Sequence, residues 1–138
     1  MMNTEITILN SMAGNVFEVA LDQHVSWDIK CLDLKDNIFG KSIVELTEEE
    51  ARHAAELIHK RSLSVYCFST VLFGSDIELG EEHFRKNYLQ KIDHVIQIAN
   101  ILQPQTIRLL ASATSKRGEI EHSIEYLHTN HPWLIPLY

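Results

Sequence analysis

Cysteine is scarce in this sequence, which contains only Cys31 and Cys67 and no CxxC pair. Two isolated cysteines exclude a disulfide framework and a zinc site built on paired cysteines. Each lies inside an apolar run, IKCLDL or VYCFS, where a cysteine usually behaves as a small buried hydrophobe. This usage is typical of proteins in the reducing cytosol.

Long apolar runs are also lacking, since no uninterrupted segment approaches the ~18 residues that a membrane helix needs. The N-terminal residues do not show the charged segment and apolar segment of a secretion signal. We therefore expect a soluble, cytoplasmic protein without a membrane partner.

Positive charge is outnumbered by negative charge. The chain has 12 Lys and Arg against 19 Asp and Glu, for a formal net charge of −7. It has no Lys/Arg stripe and no aromatic RNA-binding motif, so the molecule as a whole does not attract phosphate backbones. We expect no nucleic-acid partner.

Two glycine-dependent motifs are missing. The segment NSMAGNVF, which ends the first predicted strand and follows it, does not contain the GxGxxG turn of dinucleotide-binding sheets. No GxSxG nucleophile elbow occurs either. These absences disfavour an open nucleotide-binding fold and serine hydrolase chemistry.

Apolar residues make up 45% of the 138 positions, enough for one domain over residues 1–138 with a hydrophobic core. Strand-like runs alternate with amphipathic helical segments, which predicts an α/β fold of parallel (β/α) units joined by right-handed crossovers. Four strands are predicted, at 6–12, 27–36, 63–73 and 106–113, and helices are predicted near 16–25, from 47, at 81–102 and at 119–128.

The helix from residue 47 has the clearest signals. Thr47-Glu-Glu-Glu50 has the form of a capping box. Ala51, Ala54, Ala55 and Ile58 then follow at the spacing of a buried helical face. The next strand, LSVYCFSTVLF, is almost continuously hydrophobic, as is typical of a parallel strand covered on both faces.

The run WDIKCLDLKDNIFGKSIVELTEEEARHAAELIHKRSLSVYCFSTVLFG, followed by a long amphipathic helix and TIRLLASA, resembles the N-terminal half of xylose-isomerase-like TIM barrels. This family is also called the sugar phosphate isomerases/epimerases. The resemblance covers essentially the whole chain and implies half of a TIM barrel, cut near its midpoint.

The resemblance implies isomerisation or epimerisation of a sugar or sugar phosphate with a divalent metal, Mg or Mn, in the full-length family. The family's metal ligands and general bases lie on the fifth and later strands, beyond the four predicted here. We therefore expect this chain to bind part of a substrate without turning it over, and to hold no metal by itself. A half-barrel also leaves two strand edges open, so we expect self-association or pairing with a missing half.

Candidate substrate-binding residues follow from the rule that barrel sites form where strands end and βα loops begin. The most suggestive group is SATSKRGE, because Ser115, Lys116 and Arg117 precede a predicted helix N-terminus that would attract a phosphate. The alternative is a solvated polar loop. The candidates at strand ends are Asn10 with Ser11, Lys35 with Asp36, Ser69 with Thr70, and the segment 112–117.

Two further charged groups have competing interpretations. Arg108, inside the fourth predicted strand, would reach a substrate oxygen or pair with a carboxylate such as Asp33 on the second strand. The acidic loop with Asp76 and Glu78 suggests a metal site, but a solvated helix start is favoured because Glu81 and Glu82 suit the helix dipole. The eight histidines lack the spacing of a metal site.

The alternative to an enzyme half is a non-catalytic open-sheet α/β domain used for protein interaction or as a scaffold. A receiver domain would carry paired acidic residues at the end of its first strand, where this chain has Asn10 and Ser11. That difference weakens the receiver hypothesis but leaves a plain scaffold open.

Overall fold

The computed structural model describes residues 4–138 of the chain. Its central feature is a three-stranded parallel sheet of order β1-β2-β3, interspersed with helices, so the predicted α/β class with parallel strands is confirmed. The strands are β1 (Cys31–Leu34), β2 (Ser64–Ser69) and β3 (Thr106–Arg108). The helices are α1 (Asn10–Ala13), α2 (Phe17–Ser26), α3 (Glu48–Lys60), α4 (Glu81–Phe84), α5 (Gln90–Leu102) and α6 (Ser123–Asn130).

The first predicted strand, 6–12, differs in the structure. Only Leu9 pairs, through an isolated parallel bridge to Asp33, and the chain turns into α1 at the next residue. The reason lies in the buried side chain of Asn10, whose amide nitrogen donates to the Asp36 carbonyl at 2.7 Å. Its amide oxygen accepts from the Lys35 backbone N–H at 2.9 Å. Side-chain bonds therefore replace the backbone ladder at this point.

The other strands are shorter than predicted, and their burial differs from the expectation. In β2 the last three residues are buried, but Tyr66 is 42% exposed, so the strand is not covered on both faces along its whole length. All three residues of β3 are exposed. The apolar run TIRLLASA therefore does not form a buried strand.

The contacts of the chain divide it into two compact units. Unit 1 comprises the described residues up to Thr70 together with Asp93–Arg108, and it contains the sheet. Its core consists mainly of aliphatic and small side chains from β1, β2, α2, α3 and α5, together with the rings of Phe17 and Phe68. Cys31 and Cys67 are buried and free, as predicted.

Helix α3 in unit 1 forms as its sequence predicts. The Thr47 hydroxyl accepts from the Glu50 backbone N–H at 3.1 Å, and the Glu50 carboxylate accepts from the Thr47 N–H at 2.8 Å. Ala51, Ala54 and Ile58 are buried along one face, and Ala55 at its border is half-buried. The capping box and the amphipathic face are therefore both confirmed.

Unit 2 comprises Val71–Ile92 and Leu109–Tyr138. The segments that follow β2 and β3 in the chain pair here, through a backbone bond from Leu110 to Leu72 and a parallel bridge between Asp76 and Ala113. Gly74 permits their close approach, because a Cβ at this position would lie 2.8 Å from the Leu110 side chain.

The core of unit 2 is aromatic. The Phe84 ring lies 5.1 Å from that of Phe73 and 5.3 Å from that of Trp133, between ring centroids. Tyr138 contacts Phe73 edge-on at 5.4 Å. Such tilted and edge-to-face pairs stabilise a core beyond the area that they bury.

The predicted helix 81–102 forms, but it is not a regular α-helix throughout. A π-helical turn, Arg85–Leu89, separates α4 from α5. The predicted helix 119–128 begins later, as α6 at Ser123, because residues 115–119 form turns. After His131 the chain forms a turn and a short 3₁₀ helix, Ile135–Leu137.

Candidate functional site

The densest polar cluster in the described part of the chain surrounds the Glu78 carboxylate in unit 2. Its Oε1 atom accepts from the Tyr126 hydroxyl at 2.5 Å and from the Thr114 hydroxyl at 2.9 Å. Its Oε2 atom lies 3.4 Å from His131 Nε2 and 3.8 Å from Lys116 Nζ. Only 16% of the Glu78 side chain is exposed, so these contacts replace most of its hydration.

The neighbouring carboxylate, Asp76, organises the same loops. Its Oδ1 atom accepts from the backbone N–H of Glu78 at 3.0 Å and of Ser115 at 3.1 Å. Bonds from the Ser115 side chain and these two N–H groups lower the pKa of Asp76, which keeps the carboxylate charged. Asp76 therefore fixes the loop that carries Thr114 and Lys116 against the loop that carries Glu78.

The charge state of the Glu78 cluster follows from its hydrogen bonds. The bond from Tyr126 lowers the pKa of Glu78, and Thr114, His131 and Lys116 act in the same direction, while burial opposes them. The same bond raises the pKa of Tyr126 to about 12. The tyrosine therefore remains protonated at neutral pH and donates its proton to a charged carboxylate.

A cavity of about 630 Å³ lies in unit 2 beside this cluster. This volume is within the usual range for small-molecule sites. The cavity combines aliphatic walls with five hydroxyl-bearing residues and one cation, Arg117. It is lined by Ile77, Ala111, Ser112, Ala113, Thr114, Arg117, Ile120, Ser123, Tyr126, Leu127, Leu134, Ile135 and Tyr138.

Arg117 lines this cavity, together with Ser112, Ala113 and Thr114 of the predicted segment 112–117. Among residues 4–138 its guanidinium has no hydrogen bond or ion pair, so it is available to an anionic ligand. The other two members of its group are engaged: the Ser115 N–H bonds to Asp76, and the Lys116 ammonium lies near Glu78. The helix N-terminus expected to assist them begins only at Ser123.

The candidates at the ends of the first two predicted strands have structural roles. Asn10 is fully buried, and its side-chain amide forms hydrogen bonds with the backbone of Lys35 and Asp36. Lys35 Nζ lies 3.6 Å from Asp36 Oδ2. These residues come together as the strand-end rule predicts, but they bond mainly to one another.

Ser69 and Arg108, at the ends of β2 and β3, are similarly engaged. Ser69 is buried, with its hydroxyl 4.0 Å from Cys67 Sγ. The Arg108 guanidinium donates to the Thr70 carbonyl at 3.2 Å, so the hypothesis that it pairs with Asp33 is wrong. One buried carboxylate oxygen of Asp33 has no hydrogen-bond partner among the described residues.

The described residues do not fit the divalent metal that the family resemblance implies. Within residues 4–138, no group of three or more His, Cys, Asp and Glu side chains is placed to hold a metal ion. The two carboxylates of the polar cluster, Asp76 and Glu78, already accept hydrogen bonds from Ser115, Thr114 and Tyr126. The described residues therefore do not provide the ligand set that the resemblance implies.

Sequence reasoning missed the role of Glu78 and did not single out Tyr126 or Tyr138. The interpretation of the acidic loop as a solvated helix start holds for Glu81 and Glu82, which occupy the first turn of α4. It is wrong for Glu78, whose partners lie 36 and 48 residues away along the chain. No local signal reveals such distant partners.

Comparison of the chain with protein-family models, curated proteins and solved structures found no match. Among the described residues, no helix has both the length and the apolar character needed to cross a bilayer. We therefore infer the function from the geometry of unit 2 and from the order of the strands.

Proposed function

We propose that this chain is a ligand-binding α/β domain of the sugar phosphate isomerase/epimerase type, corresponding to half of a TIM barrel. Its strand order supports the proposal. Leu9 bridges to β1, and β2 and β3 follow in chain order without a reversal. Consecutive parallel strands are the arrangement of a barrel, whereas doubly wound sheets reverse their order at a switch point.

The observation that carries the proposal is the cavity in unit 2. Its walls come largely from the segments that follow β2 and β3, and barrel enzymes build their sites on such βα loops. The unpaired Arg117 would bind the phosphate or another anionic group, and the hydroxyl-bearing residues would contact the rest of the ligand.

We propose binding without turnover. A general base must be free to take a proton from the substrate, but the Glu78 carboxylate is already bonded to Tyr126 and Thr114. Tyr126, with its pKa raised to about 12, does not release a proton near neutral pH. The described chain therefore supplies the walls of a site and a cationic anchor, not an acid and base pair.

The test is an NMR titration of the full chain with pentose and hexose phosphates, the matching free sugars and inorganic phosphate. We expect a sugar phosphate to shift the signals of Ser112, Arg117 and Tyr126, and the free sugar to bind more weakly. Arg117→Gln should weaken phosphate-dependent binding by about tenfold or more, because it removes a charged hydrogen-bond donor.

The matched control is Arg52→Gln, because Arg52 is also an exposed arginine but lies on α3, where it pairs with Glu48. Binding in this variant should equal that of the unmodified chain. Shifts confined to other regions, or equal losses in both variants, would contradict the proposed site. Turnover of a sugar phosphate by the chain alone would contradict binding without catalysis.

A second candidate function, protein interaction through the sheet, is favoured by the exposure of β3. The strand lies at the edge of the three-stranded sheet, and Ile107 is 37% exposed. An edge strand can pair with another chain. Self-association should then appear as a concentration-dependent mass in light scattering, reduced by Ile107→Lys but not by Val19→Lys. A concentration-independent monomer would exclude it.

A further inference from the structure

Four of the five hydroxyl groups of the cavity are not free donors. Thr114 and Tyr126 both give their protons to the Glu78 carboxylate, at 2.9 and 2.5 Å. The lowered pKa of Glu78 is consistent with this assignment, since a charged carboxylate only accepts. A ligand that meets the Tyr126 oxygen therefore meets a hydrogen-bond acceptor.

The same reasoning applies to Tyr138 and Ser112. The Tyr138 hydroxyl lies 2.8 Å from the Leu110 carbonyl, which only accepts, so the tyrosine proton is used there. Ser112 Oγ lies 3.0 Å from the Tyr138 oxygen. Since the tyrosine has no second proton, Ser112 must be the donor in this contact, and its own oxygen is left as an acceptor.

Donors toward a ligand are consequently few. In the part of the chain that the structure describes, the lining side chains with uncommitted N–H or O–H groups are Arg117 and Ser123. Arg117 supplies a fixed fork of donors and a positive charge. The cavity therefore presents one cation and the Ser123 hydroxyl among oxygen atoms that accept.

The remaining surface of the cavity is aliphatic. Seven of its lining residues carry no polar side-chain group, so a sugar phosphate would bind with some hydroxyls unpartnered and more weakly than an anion with an apolar body. These residues are Ile77, Ala111, Ala113, Ile120, Leu127, Leu134 and Ile135.

We propose that the cavity selects an organic anion with an apolar body and at least one hydroxyl group that donates a hydrogen bond. The anion binds Arg117, the body contacts the aliphatic walls, and the hydroxyl donates to the oxygen of Ser112, Tyr126 or Tyr138. This inference rests on the proposed function in one respect, namely that the cavity of unit 2 binds a ligand. It adds which groups the ligand must carry.

Three probes test the hydrogen-bond requirement on the full chain by NMR titration. They are 4-hydroxyphenylacetate, which has every required group, 4-methoxyphenylacetate, which cannot donate from the same position, and tyrosol, which lacks the anion. We expect 4-hydroxyphenylacetate to bind about tenfold more tightly than either of the others, the usual scale for one such interaction.

One variant tests the direction of the Ser112 hydrogen bond separately from the shape of the cavity. Tyr138→Phe removes the acceptor that holds the Ser112 proton, so Ser112 can donate to a ligand. The preference for the hydroxy probe over the methoxy probe should then narrow by severalfold. Tyr66→Phe, at an exposed tyrosine of β2, should leave the preference unchanged.

The outcomes are distinct. If the hydroxy and methoxy probes bind the cavity equally, the hydrogen-bond requirement is wrong, although the cavity still binds ligands. If Tyr138→Phe leaves the preference intact, the assigned direction of the Ser112 bond is wrong. If sugar phosphates bind the cavity and none of the three probes does, the apolar-body requirement is overturned while the proposed function stands. Absence of binding by both sets would overturn both.

Discussion

Unit 1 and unit 2 are stabilised in different ways. Unit 1 buries aliphatic side chains of a parallel sheet and its helices, and Leu32, Leu34 and Ala54 are fully inaccessible. Unit 2 buries aromatic rings around Phe84 and surrounds the Glu78 carboxylate with polar partners. The stability of unit 1 should therefore depend on packing, and that of unit 2 also on charge.

The largest expected effect is the loss of packing in unit 1. Phe68, in β2, has no exposed surface, and Phe68→Ala should reduce the free energy of unfolding by about 3–5 kcal/mol because it leaves a cavity. Urea denaturation measures the change. Tyr66→Ala, two residues away and 42% exposed, should change it by about 1 kcal/mol or less. Equal losses in the two variants would contradict the burial pattern of β2.

A smaller and local effect is expected from Glu78→Gln in unit 2. The variant loses charged hydrogen bonds to Tyr126 and Thr114, so the amides of Ile77 and Ser115 should exchange faster with solvent. Val65, in β2 of unit 1, should keep its protection. Hydrogen exchange measured by NMR distinguishes the two units, and a uniform change in both would contradict the comparison.

The effect of Glu78→Gln should also depend on pH. The pKa of Glu78 is lower in the folded chain than its ordinary value of 4.5, mainly because Tyr126 donates to it. As the pH falls, the unfolded chain therefore takes up a proton at this residue before the folded chain does. The contribution of the charged Glu78 to stability is complete above pH 4.5 and is lost as the pH falls through the folded-state pKa. The difference in melting temperature between the unmodified chain and Glu78→Gln should shrink below pH 4.5. Glu56→Gln, at an exposed position of α3, serves as the control.

The smallest effect tests a helix cap in unit 1. Thr47→Ala removes the acceptor for the Glu50 N–H and should cost about 1 kcal/mol of unfolding free energy. Thr129→Ala, at an exposed position in α6, should reduce the free energy of unfolding by a smaller amount. A Thr47→Ala variant as stable as the unmodified chain in urea would mean that the capping box contributes little to α3.

The features that could be predicted depend on residues close together in the sequence. The start and the buried face of α3 follow from a four-residue cap and a helical repeat, and both are present. The parallel order of the strands follows from alternating strand and helix signals. The buried state of Cys31 and Cys67 follows from their apolar neighbours.

The features that could not be predicted depend on distant residues. The first strand is reduced to one bridge because Asn10 bonds to residues 25 and 26 positions away. The later start of α6 follows a loop whose Thr114 and Ser115 are bonded to Glu78 and Asp76. Apolar runs also do not reveal which strand lies at the sheet edge, so the exposure of β3 escaped prediction.

The candidate site shows the same division. Strand-end and loop rules selected Ser112 and Arg117, which line the cavity of unit 2. They gave no reason to select Tyr126 or Tyr138, because an isolated tyrosine in the sequence does not show where its hydroxyl proton is used. The acceptors of these two hydroxyl protons, Glu78 and the Leu110 carbonyl, are identified only in the folded structure.

The π-helical turn Arg85–Leu89 has a consequence for insertions and deletions. A π turn contains about one residue more than the 3.6 of an α-helical turn, so it can lose one position and still continue as a helix. Such a deletion would convert the π turn into a regular α-helical turn that covers the same full rotation, so the downstream side chains would keep their azimuth, whereas a deletion within α5 would rotate them by about 100°. Loss of one codon there would therefore preserve both the helix and its phase.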